Sequence, residues 1–197
     1  MTRFEKALAL ALAFCIAAAA WQVPFSRSCE QIRGDTLRLH IVANSDSEQD
    51  QAIKLAVRDA LLADSSRMLG GASSRDEAIS LINTNISDIE NTAAQVLRQG
   101  GFSYDAKAYI ARMYFGQRSY DGITLPAGYY TALRIELGAA DGQNWWCVVY
   151  PSLCVPTSVG EDGFDRYDEN EQDIITGAED EYEYRFLLEE WLQTLFR

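Results

Sequence analysis

The sequence predicts an α+β fold: a small, largely antiparallel β-sheet with packed α-helices, preceded by an N-terminal signal or anchor segment. Three observations carry it. Short runs with a period of two recur along the chain, two long stretches of helical period lie between the first and second of them, and turn formers punctuate the rest. At 197 residues with 48% hydrophobic and 23% charged residues, the chain has the proportions of one globular domain with a short appendage.

The appendage comes first. Arg3 and Lys6 precede Ala7 to Ala20, a run without charge that ends in small residues, the pattern of a secretory signal. The run is shorter than a bilayer span, and counting on through Val23 and Phe25 gives the alternative of an uncleaved anchor. Residues 1–21 are therefore read as signal peptide or membrane anchor, 22–36 as a linker, and 37–197 as a single α+β domain. Membrane contact is expected only through the N-terminal segment, and cysteine chemistry is that of an exported protein.

Leu37 to Ala43 reads as a strand with Leu37, Leu39 and Ile41 on one face, stopped by Asn44-Ser45-Asp46. A helix is predicted from there to Gly70-Gly71, with Ser45 and Glu48 as its capping box and an Asp50–Lys54 ion pair one turn apart. A second helix opens at Ser74 with Glu77 and runs to Gly100-Gly101. Tyr104 to Tyr114 alternates as a strand, 116–128 is a loop rich in turn formers, and Tyr129 to Leu137 with Trp145 to Tyr150 are expected to form an antiparallel hairpin across the turn 138–143. A terminal helix from Glu179 places Tyr182, Phe186, Leu187, Trp191, Leu192 and Leu195 on one side, suited to packing on the sheet.

Charge removes one class of function. Lys plus Arg number 17 against 29 acids, a net −12, which repels a phosphate backbone and argues against nucleic-acid binding. Glu161 to Glu183 holds eleven acids and one base, so −10 of the charge is local and −2 lies elsewhere. That segment, 161–183, lacks the order of a calcium loop and reads as a solvated face. No phosphate loop, no nucleophile elbow and no zinc spacing is present. His40 is the one histidine, and inside a strand it reads as structural. No catalytic residue, metal site or cofactor is expected.

Two clusters remain. His40 to Gln51 feeds a strand into a capped helix, and Asn44, Ser45, Asp46 and Asp50 are explained equally well as turn and cap residues. Asn144-Trp145-Trp146-Cys147 puts adjacent tryptophans on opposite faces of one strand, so a covering element or a partner is needed to bury both. His40, Asn44, Ser45, Asp46, Asp50, Trp145 and Trp146 are the candidate partner-binding residues. Cys147 and Cys154, with Tyr150-Pro151 between them, are expected to form a disulfide across a cis-proline turn; two buried free thiols are the alternative, and Cys29 is left over.

These segments, with Ile123-Thr124-Leu125-Pro126-Ala127-Gly128-Tyr129-Tyr130 between them, resemble the stage II sporulation protein R family of endospore-forming bacteria. The resemblance runs from about Leu37 to Cys154. It departs after Pro151-Ser152-Leu153-Cys154, where Val155-Pro156-Thr157 replace the family's aromatic or aliphatic pair and Asp. It implies a protein exported from the forespore into the space facing the mother cell. There it would activate a membrane-embedded sporulation aspartic protease that processes the precursor of sigma factor E. The rival readings are a secreted cell-envelope hydrolase using His40 and Cys154, and a ligand-binding module using the Trp145-Trp146 pair.

Overall fold

A computed structural model describes residues 2–69, 72–120, 123–151, 167–177 and 182–195. Two compact units emerge from it. The larger comprises residues 34–114 and 129–167, the smaller residues 1–33, 115–128 and 168–197.

The larger unit contains β1 (Leu37–Val42), α2 (Glu48–Leu69), α3 (Arg75–Thr84), α4 (Ile86–Gln99), β2 (Ala106–Phe115), β5 (Gly128–Leu137) and β6 (Asn144–Tyr150), the end residues Phe115 and Gly128 being counted with the smaller unit. The sheet order is β2-β5-β1-β6. β1 pairs parallel with β5 and antiparallel with β6. Gly138 N–H donates to the Asp105 carbonyl and the Tyr114 and Tyr129 rings meet edge to face, so β2 runs antiparallel to β5. The result is the expected α+β class with a mixed sheet.

One pairing differs from the sequence reading. β5 and β6 do not form a hairpin, because β1 lies between them. All six residues of β1 are buried, including Arg38 and His40, as a central strand requires. The connection 138–143 instead wraps the end of β1, with Asp141 N–H on the Asn44 carbonyl and Gly142 N–H on that of Ala43.

Leu37, Leu39 and Ile41, together with Leu133, Ile135, Cys147 and Val149, face the helices and join Ile53, Val57, Leu61, Ile82, Ile89, Ala93 and Leu97 in one core. Each such aliphatic side chain contributes about 1.5–3 kcal/mol on burial. The helix expected to run from Ser74 to Gly100 is two helices. Asn85 ends α3 and begins α4 at φ −104°, ψ 15°, its side chain donating to the Leu81 carbonyl. That is the local backbone competition for which asparagine is disfavoured in helix interiors. The start of α2 also moves. Ser47, not Ser45, is its cap, with Oγ accepting from Asp50 N–H at 3.1 Å.

The smaller unit holds α1 (Arg3–Asp35), β3 (Arg118–Tyr120), β4 (Ile123–Leu125), α5 (Glu169–Thr176) and α6 (Glu183–Leu195), the end residues Gly34 and Asp35 being counted with the larger unit. Residues 22–35, expected as linker, continue α1 because Gln22, Phe25, Cys29 and Ile32 form a buried stripe at helical spacing. Phe25 packs edge to face on Phe186 at 5.1 Å, and the Arg33 guanidinium pairs with Glu189 at 3.2 Å. Thus α6 is seated on α1 rather than on a sheet. The apolar first part of α1 is exposed, and this helix is long and apolar enough to cross a membrane, which suits a signal sequence or an anchor. The loop 116–128 contains the ribbon β3–β4. Of the acidic segment 161–183, residues 161–166 and 178–181 lie outside the described residues, and the rest is not solely a solvated face. Asp168 and Glu171 make a reciprocal capping box for α5, and Glu171, Ile174 and Ile175 are buried.

Candidate functional site

Two groups of the candidate residues sit at the end of β1, on different structural terms. The first is the corner between β1 and α2. Asp50, on the first turn of α2, is buried and accepts from Asn44 Nδ2 at 2.9 Å, Ser45 Oγ at 2.5 Å and Tyr104 Oη at 2.6 Å. Those bonds, that from Ser45 foremost and that from Tyr104 next, outweigh the cost of burial and hold its carboxyl down to about 2 from 3.8. Burial and then the bond to Asp50 push the Tyr104 hydroxyl up. Asn44 Oδ1 accepts from Ala139 N–H, and the exposed Asp46 accepts from Gln143 N–H at 2.7 Å. Lys54 does not meet Asp50. Its ammonium donates to Gln51 Oε1 and the Gln143 carbonyl because the carboxylate oxygens are already taken by neutral donors. Burial lowers the Lys54 pKa.

Backbone geometry closes the corner. Gly138 has φ +58°, and a Cβ there would stand 2.2 Å from Asn44 Oδ1; one at Gly142 would stand 2.2 Å from the Ser45 carbonyl oxygen. Asn44, Ser45 and Asp50 are therefore occupied in joining β1 to the 138–143 connection.

The second group lies on the sheet face away from the helices. His40 and Trp146 are register partners on β1 and β6, and their rings stack at 3.9 Å and 4°. His40 Nε2 is 2.7 Å from Asn144 Oδ1 and so carries the proton. Burial holds the imidazole below its usual range, so it is neutral, and Nδ1 is buried without a partner among the described residues. Beside it, Arg134 and Tyr109 both bond Glu136 Oε1 at 2.8 Å. The bond from Tyr109, more than that from Arg134, keeps the Glu136 carboxyl low. Trp146 is half-buried and Asn144 exposed, so this stack reaches the surface.

The tryptophans take opposite faces, as the strand period predicts. Trp145 packs against the helical core under the Arg58 guanidinium, 4.3 Å from its ring, while Trp146 covers His40. Cys147 is buried on β6 and is not among the free thiols, which in the described residues are Cys15 and Cys29. Cys154 lies outside the described residues. The Tyr150–Pro151 bond is cis. Among the described residues no group of three His, Cys, Asp or Glu side chains is placed to hold a metal ion. Sequence reasoning missed Tyr104, Gln51, Gln143, Tyr109, Arg134 and Glu136. Only the partners of a nearby buried carboxylate or imidazole distinguish them from ordinary surface residues.

An α+β protein whose sequence begins with an apolar helix long enough to cross a membrane, with a buried polar corner and a stacked His–Trp pair, is the class these observations define. The sequence profile described as Stage II sporulation protein R matches residues 33–159. The chain is also 31% identical over 186 residues to Stage II sporulation protein R of Bacillus subtilis (strain 168), covering 84% of this chain and 83% of that one. This chain belongs to the stage II sporulation protein R family. No solved structure matches it.

Proposed function

We propose that this protein is an exported sporulation signal. It acts by binding and activates a membrane-embedded aspartic protease, which then processes the sigma-E precursor in the mother cell. Its place of action is the space between forespore and mother cell, reached through the signal or anchor in α1. Membership of the family and the state of His40 support this reading. The single observation that carries binding over catalysis is the stack itself. One face of the imidazole is covered by Trp146, Nε2 is bonded to Asn144 and Nδ1 is buried, so no proton acceptor is presented to a substrate. The same arrangement presents a half-buried tryptophan rimmed by Asn144, a pattern suited to an interface anchor.

Co-expression of the full chain with the protease and the precursor tests this. Precursor cleavage that depends on the chain is the expected result. Turnover of a cell-wall substrate by the purified chain, without any effect on precursor cleavage, would give the site to the hydrolase reading. The Cys147–Cys154 bridge belongs to the same reading of an exported protein. Mass spectrometry of the secreted chain is expected to find Cys147 protected from alkylation until reductant is added.

A further inference from the structure

We infer that α6 carries a second contact for the same partner: an apolar stripe that receives a helix bearing an apolar face flanked by basic residues. This rests on the protease-activating reading above and adds a surface that reading does not contain.

Tyr184, Leu187, Trp191 and Leu195 recur at intervals of three and four on α6 and are 79%, 53%, 57% and 57% exposed. The opposite side of the helix packs on α1. Phe186 is buried on Phe25, Arg185 lies 4.6 Å from the Trp21 ring and donates to the Trp21 carbonyl, and Glu189 is held by Ser26 and Arg33. The stripe is thus what remains after α6 has packed, and it is an aligned patch of large apolar groups rather than scattered exposure.

The flanks select the occupant. The exposed Glu183 and the half-buried Glu190 border the stripe along one side, and Thr194 is the exposed polar residue at its end, while Gln193 turns away to Glu189. A helix lying on a bilayer surface carries Lys and Arg on its polar face, so an anionic lipid surface is disfavoured here. A second copy would bring the same acids against one another, in a chain of net charge −12. A foreign helix with basic flanks satisfies both the apolar stripe and the acids.

Size and position give the kind of helix. Four such side chains offer on the order of 500 Å², short of the roughly 800 Å² per partner of a stable interface, so the stripe supplements another contact. Along α1 the contacts advance from Trp21 at Arg185 to Ser26 and Arg33 at Glu189, so α6 runs alongside α1 away from its apolar part. Where α1 is retained as an anchor, a helix emerging from the bilayer beside it would meet the stripe end to end.

The test uses the full chain co-expressed with the protease and the sigma precursor, with p-benzoylphenylalanine placed at Tyr184 or Trp191 for photocrosslinking. The expected results are a crosslink to the protease and at least a tenfold loss of cleavage in the Leu187→Ala/Trp191→Ala double variant at an unchanged thermal midpoint. Glu183→Lys/Glu190→Lys, which leaves the apolar groups in place, is expected to reduce cleavage as well. If the parent chain drives cleavage and the double variant does so equally, the inference is overturned. Crosslinking only to lipid or to a second copy also overturns it. A parent chain that drives no cleavage removes the protease reading itself, and this inference with it.

Discussion

The corner at Asp50 and the stack at His40 lie ten residues apart in sequence, yet the chain uses them in opposite ways. At the corner nearly every polar atom is spent inside the molecule: three neutral donors converge on one carboxylate, and Asn44 links that carboxylate to the connection between β5 and β6. At the stack an aromatic ring lies flat on the imidazole and is only half-buried. The difference teaches that polarity in a motif does not locate its function. Here the polar residues of the corner hold the fold, while Trp146 is half-buried beside the exposed Asn144.

The largest effect is expected at the corner. Asp50→Ala leaves Tyr104, Ser45 and Asn44 without their acceptor and should cost about 3 kcal/mol, read as a large fall in the denaturation midpoint. Cleavage activity should fall with stability and not beyond it. The same carboxylate gives a pH signature. Its folded pKa lies near 2, below the ordinary 3.8, so its contribution is complete above about pH 4 and is lost as the pH falls towards 2. Asp50→Asn should flatten the stability profile across that window, and an unchanged acid limb would refute the assignment.

Next in size is the backbone approach at Gly142. A methyl group there meets the Ser45 carbonyl at 2.2 Å, a backbone atom that cannot rotate away. Gly142→Ala should destabilise by about 1–3 kcal/mol, the usual range for overpacking, and a neutral result would show that the 138–143 connection moves freely on the end of β1.

How far this contrast was legible in the sequence depended on the range of the interactions. The alternation of Leu37, Leu39 and Ile41, the cap at Ser74 and the opposite facing of Trp145 and Trp146 are local consequences of strand and helix period, and they were readable. The insertion of β1 between β5 and β6 was not, because a six-residue connection looks the same whether it closes a hairpin or steps over a third strand. Asp168-x-x-Glu171 was a readable capping box, obscured by the surrounding acids, while Ile174 and Ile175 supplied the buried face that a solvated run lacks. The buried stripe of Gln22, Phe25, Cys29 and Ile32 was likewise in view, but only its contact with Phe186 distinguishes a packed helix from a linker. At the site, helical spacing pairs Asp50 with Lys54 and the motif makes it a candidate partner-binding residue, whereas its carboxylate is held by Asn44, Ser45 and Tyr104. Its partners come from Tyr104 and from a corner whose geometry is set by distant glycines.

The smallest effect on stability should be at Trp146, and it decides the matter. Trp145→Ala removes a ring from the helical core and from under Arg58, and should lower the midpoint by several degrees. Trp146→Ala removes a stack of about 1 kcal/mol beyond the area its half-buried ring covers, and leaves the helical core intact. The most direct measurement is precursor cleavage driven by the Trp146→Ala chain, taken beside its thermal midpoint. The expected result is at least a tenfold loss of cleavage with a midpoint within a few degrees of the parent. Cleavage at the parental level, or a loss matched by an equal fall in folded protein, would contradict the claim that the half-buried Trp146 is part of the signalling surface.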